Sequence, residues 1–443
     1  MAHRSDQDWW QLTKKTVLQR NCHMFNNPSM SDIQFTCGES KRKHFYAHKY
    51  VLATSSPVFY AMFYGDLAEK NSVIHLEDAD EESFEEFLRF LYTDECTITP
   101  EIAVRVMYLA KKYMAPCLLE ECISILKNSL NTQNVFTILE KGVQFDEEEL
   151  QKKCWEVVCS QTHKAVTSDN FNNVSKQTVD HLLKQETLDV KEVELFKAVL
   201  KWSDHECKRK GLEATGENKR AILDEAVYQI RFLSMTQEEF AQNVSSSGVL
   251  TSEEVVSIYD EFNDKEVPSF KWKLSKRKLY LHRCSRFNNC VVGKSSSWPH
   301  FIKLREYHGL DFSVSEPVRF HGVRLLSCQA LTKITTDFKF NSNEVKVEAT
   351  NFPDKLDVDG FPGFDVMLPT PILVNRNEVV RIVSVLSYTE FNHEQSPAGQ
   401  YGKELVTVNG ITLTFRYVRI EGQENETNVN SGQFHQILFT KLY

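Results

Sequence analysis

The sequence predicts a multidomain chain with three regions of different class: an α+β region, an all-α region and an all-β antiparallel sandwich. Three observations carry this. At 443 residues the chain exceeds what one hydrophobic core encloses, since cores stop growing near about 250–300 residues. Its first third mixes period-two alternation with helical periodicity, whereas residues 132–263 carry helical faces only. Beyond residue 284 alternating runs recur between Gly, Asn and Pro turns. The regions read as 25–128, 132–263 and 284–443, with a basic connector at 264–283.

In the first region Ile33, Phe35 and Cys37 alternate with polar neighbours, the pattern of a half-buried strand, and SVIHL from Ser72 repeats it. Between them runs HFYAHKYVLATSSPVFYAMFYGDLAE, residues 44–69, predicted helical from about residue 55. So apolar a segment ending on Leu67 and Glu69 is either a core helix or a helix end that another protein docks against. After Asp80, Phe84, Phe87, Leu88 and Leu91 fall on one helical face, with Glu81 and Glu82 at the positive N-terminal end. Thr99-Pro100-Glu101 reads as an N-cap, a first-turn proline and an early acid.

In the second region helical faces follow one another, and Thr236-Gln237-Glu238-Glu239 has the form of a capping box before Phe240. In the third, Ile411, Leu413, Phe415 and Tyr417 alternate with Thr412, Thr414 and Arg416; such strands at short spacing favour a sandwich or barrel.

A net charge of -9 argues against general affinity for nucleic acid, which needs a surplus of Lys and Arg. No run approaches the roughly 18 apolar residues of a membrane span, and none has the form of a secretory signal. Eleven cysteines, an odd number without any C-x-x-C, fit reduced thiols, so the expected compartment is the cytoplasm, with the nucleus as a second. The sequons at Asn173, Asn243 and Asn425 are accordingly expected to stay unused.

Enzyme motifs fail on inspection. Gly293-Lys294-Ser295 lacks the glycine a phosphate loop needs, since that position is Asn288. Asp357-Val358-Asp359-Gly360 resembles part of a calcium loop, but the flanking ligand positions are Lys355 and Val366. The pairs Cys117 and Cys122, Cys154 and Cys159, and Cys284 and Cys290 are too widely spaced for a zinc knuckle. The expectation is a protein that is not an enzyme and needs no cofactor. The run FKWKLSKRKLYLHRCSR, residues 270–286, holds seven Lys and Arg and no acid. It reads as a solvated interdomain connector, with a nuclear import signal or nucleic-acid contact as the functional alternative.

Residues 31–126 resemble the BTB/POZ family. The likeness rests on Ser31-Asp32-Ile33, Ala47-His48-Lys49-Tyr50-Val51-Leu52-Ala53, Ser55-Ser56-Pro57-Val58-Phe59, Phe90-Leu91-Tyr92-Thr93 and Ala110-Lys111-Lys112-Tyr113. The helical part, with KCWEVV, VLKWSDHECKRKG and MTQEEF, resembles the BACK domain. The β-rich end, from LSKRKLYLHRCSRF to NVNSGQFHQILF, is similar to a PHR domain, although Leu325-Leu326-Ser327-Cys328-Gln329 stands where a glycine-rich turn is usual.

The resemblance implies a BTB-BACK-PHR adaptor of cullin-3 ubiquitin ligases. The BTB domain would form a homodimer and bind cullin-3, BACK would extend that grip, and the C-terminal β domain would hold a protein client. It implies Phe63, Leu67, Glu69 and Tyr92 for cullin binding, through an apolar-x-Glu element after Met62-Phe63, and Asp32, His48 and Lys49 for the dimer interface. The competing reading is a dimeric BTB scaffold or transcriptional cofactor not coupled to ubiquitination.

Overall fold

The computed structural model describes residues 10–38, 43–66, 68–265, 267–268, 270–292, 305–326, 331–340, 343–350, 355–356, 361–388, 397–423, 425 and 427–442. The chain divides into two compact units, residues 1–158 with 164–180, and residues 159–163 with 181–443. The helical region is thus shared between the two units.

The first unit opens with α1 (Trp10–Thr13) and α2 (Val17–Met24), the latter started by a Thr16/Gln19 capping box. Strands β1 (Ile33–Cys37) and β2 (His44–Ala47) precede α3 (Lys49–Ser55), α4 (Pro57–Tyr64) and β3 (Val73–Leu76). The sheet order is β2-β1-β3, with β1 antiparallel to β2 and parallel to β3. Ile33, Phe35 and Cys37 are buried as the alternation predicts, but Thr36 between them is buried too, its hydroxyl 3.0 Å from His75 Nδ1. Helices α5 (Glu81–Thr93), α6 (Pro100–Lys112), α7 (Pro116–Ser129), α8 (Val135–Gln144) and α9 (Glu148–Ser160) follow.

Asp80 caps α5 by accepting the Ser83 N–H, and the predicted face of Phe84, Phe87, Leu88 and Leu91 is buried. Thr99 occupies the N-cap of α6, but its side chain accepts no hydrogen bond from the helix. Pro100, with its preset φ, makes that start without the cap. Phe59 lies at the centre of an aromatic core, stacked 4.4 Å from Tyr113 and 5.6 Å from Phe63.

Short α10 (Thr162–Val166) and α11 (Lys176–Lys184) lead to α12 (Glu192–Arg209), α13 (Gly216–Leu223), α14 (Gln237–Asn243) and α15 (Ser252–Phe262). The capping box read at Thr236 and Glu239 is present at the start of α14. The strands that follow are β4 (His282–Ser285), β5 (Asn289–Val292), β6 (Arg305–Val314), β7 (Val318–Leu326), β8 (Leu331–Phe340), β9 (Asn343–Ala349), β10 (Lys355–Leu356) and β11 (Pro362–Val374). After them come β12 (Val379–Tyr388), β13 (Pro397–Gln400), β14 (Leu405–Val408), β15 (Ile411–Tyr417) and β16 (Phe434–Lys441).

They form a five-stranded sheet β10-β11-β7-β16-β4, a six-stranded sheet β14-β15-β6-β12-β8-β9 and the pair β13-β5. The two large sheets enclose one core, with Phe320 of β7 against Phe312 and Phe338 of the other sheet. Gly322 sits at φ +153 in β7, where an added Cβ would meet the Val366 carbonyl of β11 at 2.2 Å. A side chain there would force the two strands apart.

The basic run is solvated only in part: Lys271, Lys276 and Lys278 are exposed, while other residues of the run are engaged in the fold. Trp272 is buried against Phe232 and Tyr228. Arg277 pairs with Glu192 and donates to the Leu183 and Gln229 carbonyls, while Lys273 pairs with Glu186. Arg283 grips Asp365 with two hydrogen bonds, and Arg286 is wholly buried, donating to the carbonyls of Phe434 and Asn428. Lys278 also bridges to Thr187 in parallel pairing. The run is a strap inside the second unit, because its missing acids lie far away in sequence.

Asn425 is likewise structural. Its amide donates to the Gly309 and Val418 carbonyls, and its oxygen accepts the N–H groups of Gly309 and Thr427, which leaves no free amide hydrogen for a glycan. The motifs at Gly293-Lys294-Ser295 and Asp357-Val358-Asp359-Gly360 lie outside the described residues, as do Leu67 and Ser327-Cys328-Gln329.

Candidate functional site

Helix α4 has two faces that its sequence alternates by single steps. Phe59 and Phe63, four residues apart, are buried; Tyr60 and Tyr64, each one step on, are 59% and 52% exposed with rings 6.0 Å apart. Tyr50 of α3 is exposed as well. Ser56 starts α4 by accepting the Phe59 N–H, with Pro57 in the first turn.

The helix stops at Gly65, where a Cβ would stand 2.4 Å from the Ala61 carbonyl oxygen. The chain then folds back, for the Ala68 N–H donates to Gly65 and the Glu69 N–H to the Met62 carbonyl at 2.8 Å. Glu69 is half-buried, and its carboxylate accepts the Asn71 N–H at 2.9 Å. An acid is thereby pinned at the end of a helix whose outer face is tyrosine.

The other described residues named for cullin contact are buried. Phe63 is 6% exposed, stacked on Phe59 with the Lys49 ammonium 5.7 Å from its ring centroid. Tyr92 is 2% exposed on α5. Phe63 supports the outer face of α4 from within, whereas Tyr92 packs against His48 and Phe25. Tyr60 and Tyr64 are the exposed aromatic side chains of α4; the i, i+4 spacing that buries Phe59 and Phe63 also predicts that outer pair, and sequence reasoning had named neither as a site residue.

Asp32, His48 and Lys49 form one junction between β1, β2 and α3. Asp32 is exposed, and its carboxylate accepts the Lys49 backbone N–H at 2.8 Å, so within the chain it caps α3 and makes no ion pair with the Lys49 ammonium. His48 is buried with every polar group satisfied. Its N–H donates to the Tyr92 phenol oxygen, its Nδ1 lies 2.8 Å from the same oxygen, and its Nε2 lies 3.1 Å from the Ser29 carbonyl. The tautomer protonated on Nε2 fits all three contacts. Burial, opposed by the His48 N–H and reinforced by the Asp32 charge, pushes the Tyr92 phenol above its ordinary range. The segment before β1, α1, α2 and the turn after them, exposes Leu12, Val17, Leu18 and Met30.

No group of three or more His, Cys, Asp or Glu side chains able to hold a metal occurs among the described residues. Burial pushes the thiols of Cys37, Cys122, Cys154 and Cys284 up to about 12, far from a thiolate nucleophile at neutral pH. No helix among the described residues is long and apolar enough to cross a membrane.

Three family models match the chain: BTB/POZ domain over residues 22–130, BTB And C-terminal Kelch over 135–245, and PHR domain over 285–440. BTB/POZ domain-containing protein 6-B of Danio rerio is 34% identical over 434 residues, covering 97% of this chain and 88% of that protein. BTB/POZ domain-containing protein 6 of Homo sapiens is 34% identical, covering 97% and 78%. BTB/POZ domain-containing protein 3 of Homo sapiens is 31% identical, covering 97% and 81%.

Proposed function

Because this chain belongs to the family of BTB/POZ domain-containing proteins built from BTB, BACK and PHR domains, we propose that it is a non-catalytic substrate-recognition adaptor of a cullin-3 RING ubiquitin ligase. The family is one of adaptor-type scaffolds, and its BTB domain serves protein–protein interaction. In this reading the BTB domain dimerises and binds cullin-3, and the PHR domain holds a protein client in the cytoplasm.

The observation that carries the reading is the end of α4. An exposed Tyr60/Tyr64 face runs into a returning segment that pins Glu69 by two backbone hydrogen bonds. Aromatic side chains with few rotamers dominate interface energies, and an acid held in place fixes register. The exposed Leu12, Val17, Leu18 and Met30 offer apolar area that a homodimer would cover.

A dimeric scaffold or transcriptional cofactor imported through the 270–286 run is the weaker reading. Arg277, Lys273, Arg283 and Arg286 of that run are engaged within the fold.

The test is a binding isotherm with the cullin-3 N-terminal region, comparing the wild type with a Leu67→Ala/Glu69→Ala double variant and a Tyr60→Ala/Tyr64→Ala double variant. Weakened binding by folded variants supports the proposal. Unchanged affinity in both, or no binding by the wild type, overturns it. Light scattering reads the dimer, and a monomeric mass at micromolar concentration removes that part.

A further inference from the structure

A cleft of about 370 Å³ opens in the second unit, where the starts of α12 and α14 meet the strap and the paired strands β7 and β16. Five cations line it, Lys191, Lys276, Arg277, Arg319 and Lys441, against two carboxylates, Glu192 and Glu239. Both carboxylates are engaged: Glu192 with Arg277 at 2.9 Å, and Glu239 with the Thr236 N–H in the α14 capping box. Lys441 is matched by the buried Asp189 at 2.8 Å.

That leaves Lys191, Lys276 and Arg319, all exposed and without an acidic partner among the described residues. They come from the N-cap of α12, the strap and β7, so the fold, not a local run of charge, brings them together. Lys191 makes no side-chain cap for α12, so no side chain of its N-cap residue satisfies the first-turn amides of that helix, whose residues Glu192 and Val193 also line the cleft.

We infer that this cleft binds a small, multiply phosphorylated anion through Lys191, Lys276 and Arg319, tying the helical part of the second unit to its sheets. Three like charges around one opening repel each other within a screening length, and a bound polyanion relieves that repulsion. Ammonium and guanidinium groups are the side chains that hold phosphate. Three cations at one opening match an anion that carries several negative charges, as one with more than one phosphoryl group does. The cleft volume is that of a small-molecule site.

The probe is pyrophosphate, titrated calorimetrically into the full chain at constant ionic strength, with sodium chloride as the blank. The expected result is one saturable site per chain. Lys276→Ala/Arg319→Ala should weaken it about tenfold or more, the loss of a charge-assisted hydrogen bond. Lys201→Ala, an exposed lysine on the same helix ~14 Å from its start, should bind as the wild type does. Lys276 and Arg319 are exposed, so the variants should melt with the unliganded wild type; Lys276→Gln alone should show a smaller loss of the same kind. Absence of saturable binding, equal binding by the double variant, or the same weakening in Lys201→Ala overturns the inference.

Discussion

Arg277 and Glu192, 85 residues apart in sequence, form an ion pair at 2.9 Å in which the two side chains are only 4% and 3% exposed. Glu192 also accepts the Arg231 N–H, and Arg277 donates to carbonyls of two further segments. The pair closes the strap onto the helices.

Arg277→Ala leaves the Glu192 carboxylate buried without its counter-charge. The expected cost is about 3–5 kcal/mol of stability in urea unfolding of the full chain. Glu192→Ala should cost a similar amount, and the double variant much less than the two together. Fully additive losses would show that the two side chains act independently.

Tyr92→Phe removes the oxygen that serves both the N–H and Nδ1 of His48. Nothing else among the described residues meets that backbone N–H. The variant should keep its fold and lose about 1–3 kcal/mol, the cost of a buried donor left unpaired. A melting temperature equal to the wild type would show that the phenol is dispensable.

On α4, core and surface are separable by adjacent substitutions. Phe63→Ala should cost about 3–5 kcal/mol of stability, whatever its effect on binding. Tyr64→Ala and Glu69→Ala should each cost about 1–2 kcal/mol of cullin-3 affinity with the melt unchanged. If Tyr64→Ala destabilises while leaving affinity intact, the outer face of α4 is packing and not a docking site.

Hydrogen bonds from Arg231 and Lys273 hold the Glu186 carboxyl at about 2, below its ordinary 4.5. The folded protein keeps this group ionised where the unfolded chain takes up a proton. Its contribution is therefore complete above pH 4.5 and is lost as pH falls towards 2. Glu186 is more than half exposed, so solvent screening keeps the effect small. Acid titration of stability should be shallower in Glu186→Gln across that window, and identical slopes would contradict the coupling.

Much of the site was legible at the level of single elements. Helical periodicity placed Phe84, Phe87, Leu88 and Leu91 inside, and the motif at Thr236 named a cap that is present. The segment ending at Glu69 was singled out, but which of its aromatics face outward needed the helix phase, and that phase assigns Tyr60 and Tyr64 to the surface and Phe63 to the core. Asp32 and Lys49 were named for a dimer interface; within the chain the Asp32 carboxylate caps the Lys49 backbone amide and the Lys49 ammonium lies over Phe63.

The sequence by itself determined the three classes of region and the family motifs, but not the strand at His44–Ala47 or the helix start at Lys49. The classes and the motifs rest on residues within one or two turns of one another, where spacing alone sets which side chains share a face. Only the tertiary structure decided the fate of the charges. The 270–286 run has no acid of its own, and its partners Glu186, Glu192 and Asp365 are supplied by segments on both sides of it along the chain. Whether a lysine or arginine is solvated, buried or left facing a cleft depends on what the fold brings within a few ångströms, and no local pattern records that.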